Sequence, residues 1–175
     1  MDTLTKLAIK YGADKWGKHK YTPYYYEQFK KIRMRVKKVI EIGTGEGASI
    51  LMWHDFFPNA QIYGVDIDPK RVTIEPKYPR ITIMGVDQSK LDDLINVVNE
   101  TGSDVDIVID DGSHIPAHQV FSCRALMYAL DNPLYYIEDV ADENVAHELS
   151  NKDWEFEITK FSPRYDDRIV HVWKK

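Results

Sequence analysis

Short apolar runs alternate with helical segments between residues 36 and 150, and this alternation limits the fold more than any other feature of the chain. Repeated βα units of this kind predict a doubly wound α/β fold with a mainly parallel sheet. The run before Asp110 is almost entirely apolar, as expected for a strand that helices cover on both faces. The predicted strands of these units are Val39–Ile42, Gln61–Asp66, Ile81–Met84, Val105–Ile109 and Leu134–Ile137.

The tail of the chain has a different pattern. Trp154–Ile158 alternates apolar and charged residues, and Ile169–Trp173 is a second run after the turn-rich segment 162–167. Two strands joined by a turn, with no helix between them, predict an antiparallel hairpin. We therefore expect a Rossmann-like, doubly wound seven-stranded sheet, mostly parallel, with a C-terminal antiparallel hairpin. The predicted helices are Tyr24–Arg35, Ala48–Phe57, Lys90–Glu100, Pro116–Leu130 and Asp142–Leu149, with a short surface helix near the N-terminus.

Length, charge and cysteine content narrow the class of protein. The 175 residues suffice for one domain, with an N-terminal aromatic and basic segment at 1–35 ahead of a Rossmann-like core at 36–175. A formal charge of −5 gives no general attraction to nucleic acid or anionic membranes. The single cysteine, Cys123, excludes an intrachain disulfide and fits the cytoplasm. We expect neither a transmembrane helix nor a signal peptide, because no apolar run is long enough.

A glycine-rich turn, EIGTGEGA, follows the first predicted strand from Glu41 to Ala48. Glycines there allow positive φ angles and close approach of a ligand, and the following helix presents free N–H groups. Gly43, Gly45 and Ala48 also satisfy a dinucleotide pattern, so NAD is one candidate ligand. Glu41 favours another candidate, because a carboxylate repels a pyrophosphate and attracts a cationic amino-acid group. S-adenosylmethionine carries both an ammonium and a sulfonium, and we expect it at Glu41, Gly43, Thr44 and Gly45.

Acidic residues at the next two strand ends are candidates for the rest of this ligand. Asp66 ends the second strand, where a carboxylate accepts hydrogen bonds from ribose hydroxyls, and Asp68 is a nearby alternative. Asp87 and Gln88 follow the third strand. If the ligand is bound as in S-adenosylmethionine-dependent methyltransferases, which this region resembles, Asp87 accepts from the adenine amino group with Gln88 beside it. The alternative is that Asp87 and Ser89 only cap the following helix.

Two acidic pairs follow the fourth and fifth predicted strands. Asp110 and Asp111 begin the sequence DDGSH, and Glu138 and Asp139 follow the next strand. Neighbouring strand ends of a parallel sheet share a crevice, so these carboxylates would meet there and repel one another. A hard divalent cation such as Mg²⁺ would compensate them; otherwise these residues only form turns and helix caps. His114 lies beside Asp111 and is a candidate general base.

These motifs resemble those of class I S-adenosylmethionine-dependent methyltransferases, whose first motif is an acidic residue, one further position and then G-x-G-x-G. The run YGADKWGKHKYTP from Tyr11 to Pro23 and the DDGSH run look like signatures of metal-dependent bacterial sugar O-methyltransferases. Ala13 stands where threonine is usual in that group. The resemblance spans nearly the whole chain and implies the catalytic core of larger relatives, without their extra N-terminal domain or long lid.

The resemblance also implies a reaction and a set of site residues. A divalent cation, Mg²⁺ or another, would assist transfer of the methyl group of S-adenosylmethionine to a hydroxyl of a sugar or glycosylated small molecule. His114 would take the hydroxyl proton. The expected site residues are His114 and Asp111 for catalysis, Glu41, Gly43, Thr44, Gly45, Asp66, Asp87, Gln88 and Asp110 for the cofactor, and Asp111, Glu138 and Asp139 for the metal.

Other functions leave more of the sequence without a role. An NAD-binding oxidoreductase would not use Glu41 or the acidic pairs, and a non-catalytic S-adenosylmethionine-binding module would not need His114. Aromatic residues among lysines also stack on single-stranded nucleic acid, which the acidic composition disfavours. Lys15, Trp16, His19 and Tyr21 are candidates to contact the cofactor or acceptor, although we expect most tyrosines of this segment to form a packed surface layer. A homodimer would help so short a chain to close its site.

Overall fold

A computed structural model describes residues 1–74 and 78–175. Within these ranges a seven-stranded sheet has the strand order β3-β2-β1-β4-β5-β7-β6. The strands are β1 (Lys38–Ile42), β2 (Gln61–Asp66), β3 (Ile81–Gly85), β4 (Ile107–Asp110), β5 (Leu134–Ile137), β6 (Trp154–Lys160) and β7 (Arg168–Lys174). Strands β1 to β5 pair in parallel, whereas β7 pairs antiparallel with both β5 and β6. The predicted doubly wound sheet and its terminal hairpin are confirmed.

Six α-helices and a short 3-10 turn at Pro69–Arg71 connect the strands in the described residues. The helices are α1 (Thr3–Tyr11), α2 (Tyr21–Phe29), α3 (Ala48–Phe56), α4 (Leu91–Thr101), α5 (Pro116–Ala129) and α6 (Asn144–Leu149). The second helix differs from the predicted span Tyr24–Arg35. It begins before Pro23, which falls in its first turn, where the missing N–H has no helical acceptor to lose. Residues 30–35 form turns.

Each face of the sheet carries its own core. Helices α1, α2 and α3 cover one face with an aromatic cluster that includes Tyr25, Phe29 and Trp53. Helices α4, α5 and α6 cover the opposite face with mostly aliphatic side chains. Tyr21 and Tyr25 of α2 are fully buried in this core, so the expected surface layer is wrong for these two residues.

No helix in the two described ranges is long and apolar enough to cross a membrane.

Candidate active site

The glycine turn connects β1 to α3 at the carboxyl edge of the sheet. Gly43 and Gly45 have φ angles of +83° and +51°, and Gly47 is the left-handed N-cap of α3. A Cβ on Gly43 would lie 2.1 Å from the carbonyl oxygen of Asp111, so glycine is needed where β1 passes the end of β4. A Cβ on Gly45 would meet no atom within 4 Å. The open space of the turn is therefore at Gly45.

Asp66, at the end of β2, holds this turn in place. Its Oδ2 accepts hydrogen bonds from the backbone N–H groups of Thr44 at 2.9 Å and Gly45 at 3.1 Å. Its Oδ1 accepts from the N–H of Asp68 at 2.9 Å. A carboxylate in this position orders two of the turn's free N–H groups in advance of any ligand.

One cavity of about 420 Å³ opens beside the turn, over the ends of β1, β2 and β3. Ile42, Val65 and Val86 supply apolar walls, and Asp87 and Gln88 supply polar groups at its rim. A pocket with apolar walls and a few polar groups suits a flat heterocycle such as a nucleobase.

A second cavity of about 520 Å³ lies on the other side of the turn and is more polar. The N-terminal segment contributes Asp14 and Lys18 to its lining, and the loop after β4 contributes His114. Both cavities are lined by Gly43 and Asp66, so they adjoin each other at the carboxyl ends of the strands, and together they are called the cleft. Ligands of open α/β sheets bind in this position.

Asp87 does not cap a helix, because the N-cap position of α4 is Lys90. Its Oδ1 accepts from the N–H and hydroxyl of Ser89 at 3.0 and 2.6 Å, and these hydrogen bonds lower the pKa of Asp87. Asp87 therefore lines the first cavity, and its hydrogen bonds to Ser89 stabilise the turn after β3.

Asp110, a predicted cofactor contact, is fully buried and lines neither cavity. Its carboxylate accepts from the hydroxyls of Ser122 at 2.7 Å and Tyr135 at 3.0 Å, and from Gln88 Nε2 at 3.1 Å. Alternation along β4 explains this position, since Val108 and Asp110 point to the α4–α6 face. Burial raises the pKa of Asp110 against the lowering effect of these hydrogen bonds. Through Gln88, which accepts from the N–H of Ser113 at 2.7 Å, Asp110 orders the loop after β4.

Lys15 lies at the centre of the acidic residues, on the opposite face of the sheet from Asp110. Its Nζ is 2.8 Å from Asp111 Oδ2, 2.8 Å from Glu138 Oε2 and 3.3 Å from Glu41 Oε1. Its side chain is fully buried, as are those of Glu41 and Glu138. Burial lowers the pKa of Lys15, but the three carboxylates outweigh it and raise the pKa well above its usual value. Lys15 is therefore an ammonium ion inside the protein.

The sequence predicts that Glu41 faces a cationic group of the cofactor. In the structure, the cation beside Glu41 is the side chain of Lys15. The other hydrogen bonds of Glu41 come from Ser49 Oγ at 2.7 Å and Trp53 Nε1 at 3.0 Å. Burial raises the pKa of Glu41, although Lys15 acts in the opposite direction. Because both of its oxygens are engaged below the turn, Glu41 has no surface that faces the cleft.

The N-terminal segment supplies further partners to the second acidic pair. Tyr25 donates its hydroxyl to Glu138 Oε1 at 2.8 Å, and Tyr21 donates to Asp139 Oδ1 at 2.7 Å. His19 Nδ1 lies 3.5 Å from Asp139 Oδ1. Burial raises the pKa of Glu138, against the lowering effect of Lys15. Sequence reasoning placed His19 and Tyr21 near the cofactor or acceptor, did not single out Tyr25, and missed the contacts of all three with the acidic residues.

Asp111, His114 and Asp139 form a cluster, here called the triad, in which one ligand atom from each residue lies within 4.8 Å of the others. Asp111 and Asp139 come from the predicted metal set, and His114 is the predicted base. His114 and Asp139 have φ angles of +56° and +50°, the only positive values of non-glycine residues in the described part of the chain. Such strained backbone concentrates at functional sites. The carboxylates of Asp111 and Asp139 are suitable ligands for a hard divalent cation, and the imidazole of His114 lies beside them.

Comparisons with known proteins relate the chain to one group of enzymes. No known family model matches the chain. Over 146 aligned residues, 78% of the chain, it is 40% identical to 8-demethyl-8-alpha-L-rhamnosyl tetracenomycin-C 2'-O-methyltransferase of Streptomyces olivaceus. It is also 40% identical to mycinamicin VI 2''-O-methyltransferase of Micromonospora griseorubida over the same length. The chain is a homologue of sugar O-methyltransferases. It spans 37% and 36% of these two relatives.

A solved structure shows the same relationship in three dimensions. MycE methyltransferase from the mycinamycin biosynthetic pathway, in complex with Mg, SAH and mycinamycin VI, matches the present chain with a TM-score of 0.71 and 26% identity. The match covers 99% of this chain and 48% of that one. The fold is therefore that of the class I methyltransferases.

Proposed function

We propose that the chain carries the S-adenosylmethionine-dependent, divalent-cation-assisted O-methyltransferase activity of its relatives, with a hydroxyl of a sugar or glycosylated small molecule as acceptor. The triad beside a preformed cleft is the observation that carries this proposal. The O-methyltransferase functions of the 40% identical relatives support it, as does the complex of MycE with Mg and SAH. The net charge of −5 favours a small-molecule acceptor over nucleic acid.

The cleft has room for the parts of S-adenosylmethionine. The adenine would enter the cavity of about 420 Å³ beside Asp87 and Gln88, and the ribose would lie near Asp66. The methionine part would then pass Thr44 and Gly45, where the backbone leaves open space. Gly43, Glu41 and Asp110 would support the cofactor indirectly, by shaping the turn and the loop after β4.

Asp111 and Asp139 would hold the divalent cation in this proposal. The cation would supply positive charge that lowers the pKa of a nearby hydroxyl and stabilises negative charge on its oxygen. Glu138, the third predicted ligand, accepts hydrogen bonds from Lys15 and Tyr25 on its two oxygens. Binding of the cation by Glu138 would compete with these hydrogen bonds.

His114 would remove the proton of the acceptor hydroxyl. Its side chain is 43% exposed at the mouth of the second cavity, and its Nε2 is 3.9 Å from Asp111 Oδ1. The acceptor oxygen would attack the methyl carbon as the sulfonium leaves as S-adenosylhomocysteine. The remaining contribution of the protein is to position the two reactants.

Methyl transfer to rhamnosyl and other deoxysugar compounds, measured by mass spectrometry with and without Mg²⁺, tests the proposal. We expect His114→Ala to lower turnover by about a hundredfold or more, as for loss of a general base, with S-adenosylhomocysteine affinity within about twofold. His147→Ala, on α6, is the matched control and should retain full turnover. Full activity of EDTA-treated protein would contradict the cation role, and equal turnover of both variants would contradict the assignment of His114.

Two further expectations belong to this proposal. We place the reaction in the cytoplasm, because the single cysteine, Cys123, is free and buried. The homodimer stays a prediction, and the mass of the protein in solution will test it.

A further inference from the structure

A fully buried lysine in the N-terminal segment links three strand ends of this sheet. Lysine is rarely buried unless it is paired, because an isolated ammonium ion is costly to remove from water. The Lys15 ammonium contacts Glu41, the second-last residue of β1, and also Asp111 and Glu138, which directly follow β4 and β5. These contacts connect residues far apart in sequence, and the proton transfer assigned to His114 does not by itself explain them.

Asp111 connects Lys15 to the triad. Its Oδ2 accepts from Lys15 Nζ at 2.8 Å, while its Oδ1 is the oxygen nearest His114, at 3.9 Å from Nε2. The ammonium thereby fixes the rotation of this carboxylate and directs the second oxygen to His114. It also places one positive charge among three carboxylates next to the triad.

We propose that Lys15 is a positioning residue of the active site, which orients Asp111 toward His114 and reduces the negative charge that a divalent cation meets at the triad. This inference rests on the proposed cation site. It makes the N-terminal segment part of that site, because Lys15 reaches the triad from below the glycine turn. The same ammonium also holds Glu138, at 2.8 Å from its Oε2, so this carboxylate shares its charge with Lys15.

Mn²⁺ alone is the probe, and its binding to the full chain is measured from the electron paramagnetic resonance signal of the free ion. Lys15→Met removes the charge and keeps the length of the side chain. We expect it to bind Mn²⁺ at least about tenfold more tightly, because a nearby positive charge is gone. Turnover should fall about tenfold or more, because Asp111 is no longer oriented. Lys15→Arg should restore the affinity to within about threefold, and Lys20→Met, an exposed lysine of the same segment, is the control.

Tighter Mn²⁺ binding together with lower turnover in Lys15→Met distinguishes a positioning role from a purely structural one. If folded Lys15→Met binds Mn²⁺ within twofold of the wild type, or more weakly, the proposal is wrong. If Lys15→Met does not fold, the same comparison is made between Glu138→Gln and the charge-balanced double variant Lys15→Met/Glu138→Gln, with the same expected tightening. Failure of the wild-type chain itself to bind Mn²⁺ would instead overturn the cation site, and this inference with it.

Discussion

Replacing Gly43 with alanine tests the close approach on which the shape of the cleft depends. The new Cβ would lie 2.1 Å from the carbonyl oxygen of Asp111, 2.6 Å from its carbonyl carbon and 2.8 Å from Gly112 Cα. All three atoms are backbone, so no side-chain rotation relieves the contact. Overpacking of this kind costs about 1–3 kcal/mol, and a φ of +83° adds about 1–2 kcal/mol for an L-residue. We expect Gly43→Ala to lower the free energy of unfolding by about 3 kcal/mol.

Gly45→Ala is the matched control in the same turn. It has a positive φ of +51° but no atom within 4 Å of the new Cβ, so only the backbone cost of about 1–2 kcal/mol applies. Urea unfolding measures both losses, and calorimetry measures S-adenosylmethionine binding to each folded variant. We expect Gly45→Ala to be the more stable variant and still to bind the cofactor more weakly than the wild type, because its methyl group enters the open space. Equal losses of stability would refute the close approach at Gly43.

Two further predictions concern buried groups away from the cleft. Burial lowers the pKa of His171 from 6.5 to about 4, so the unfolded chain binds a proton that the native chain does not as the pH falls through this interval. The free energy of unfolding should therefore decrease by up to about 3 kcal/mol as the pH falls from 6.5 to 4. Urea unfolding of His171→Phe should show a smaller decrease over the same pH range, and an equal decrease in the variant and the wild type would contradict the prediction. Cys123 is fully buried, and burial raises its thiol pKa, so iodoacetamide should label it only in the unfolded protein; rapid labelling of native protein would contradict its burial.

The sheet could be predicted from sequence because local patterns determine it. Alternating strands and helices have few topologies, and the hairpin after Leu149 follows from two strands without a helix between them. The limits of α2 could not be read in the same way. The predicted span begins at Tyr24, after Pro23, whereas α2 begins at Tyr21, because Tyr21 and Tyr25 pack in the core and Pro23 fits the first turn.

The acidic site was predicted in part. Carboxyl ends of parallel strands share one edge, which brings Asp111 and Asp139 together in the structure. The alternation of side chains along a strand also predicts which face of the sheet each carboxylate lies on. Glu41 and Glu138 lie on the same face of the sheet as the N-terminal helices, whereas Asp110 points to the other face. A divalent cation was the charge expected among these carboxylates. The ammonium ion of Lys15 also lies there, and it is held by long-range contacts that no local sequence pattern reveals.

Calorimetric titration of the purified chain with S-adenosylmethionine, S-adenosylhomocysteine and NAD tests the central claim most directly. The account predicts micromolar binding of the first two ligands and no heat from NAD, with or without Mg²⁺. Gly45→Ala, tested beside the wild type, should weaken both interactions. Binding of NAD alone would contradict the methyltransferase assignment of the cleft, and no binding of any of the three ligands would contradict its assignment as a preformed cofactor site.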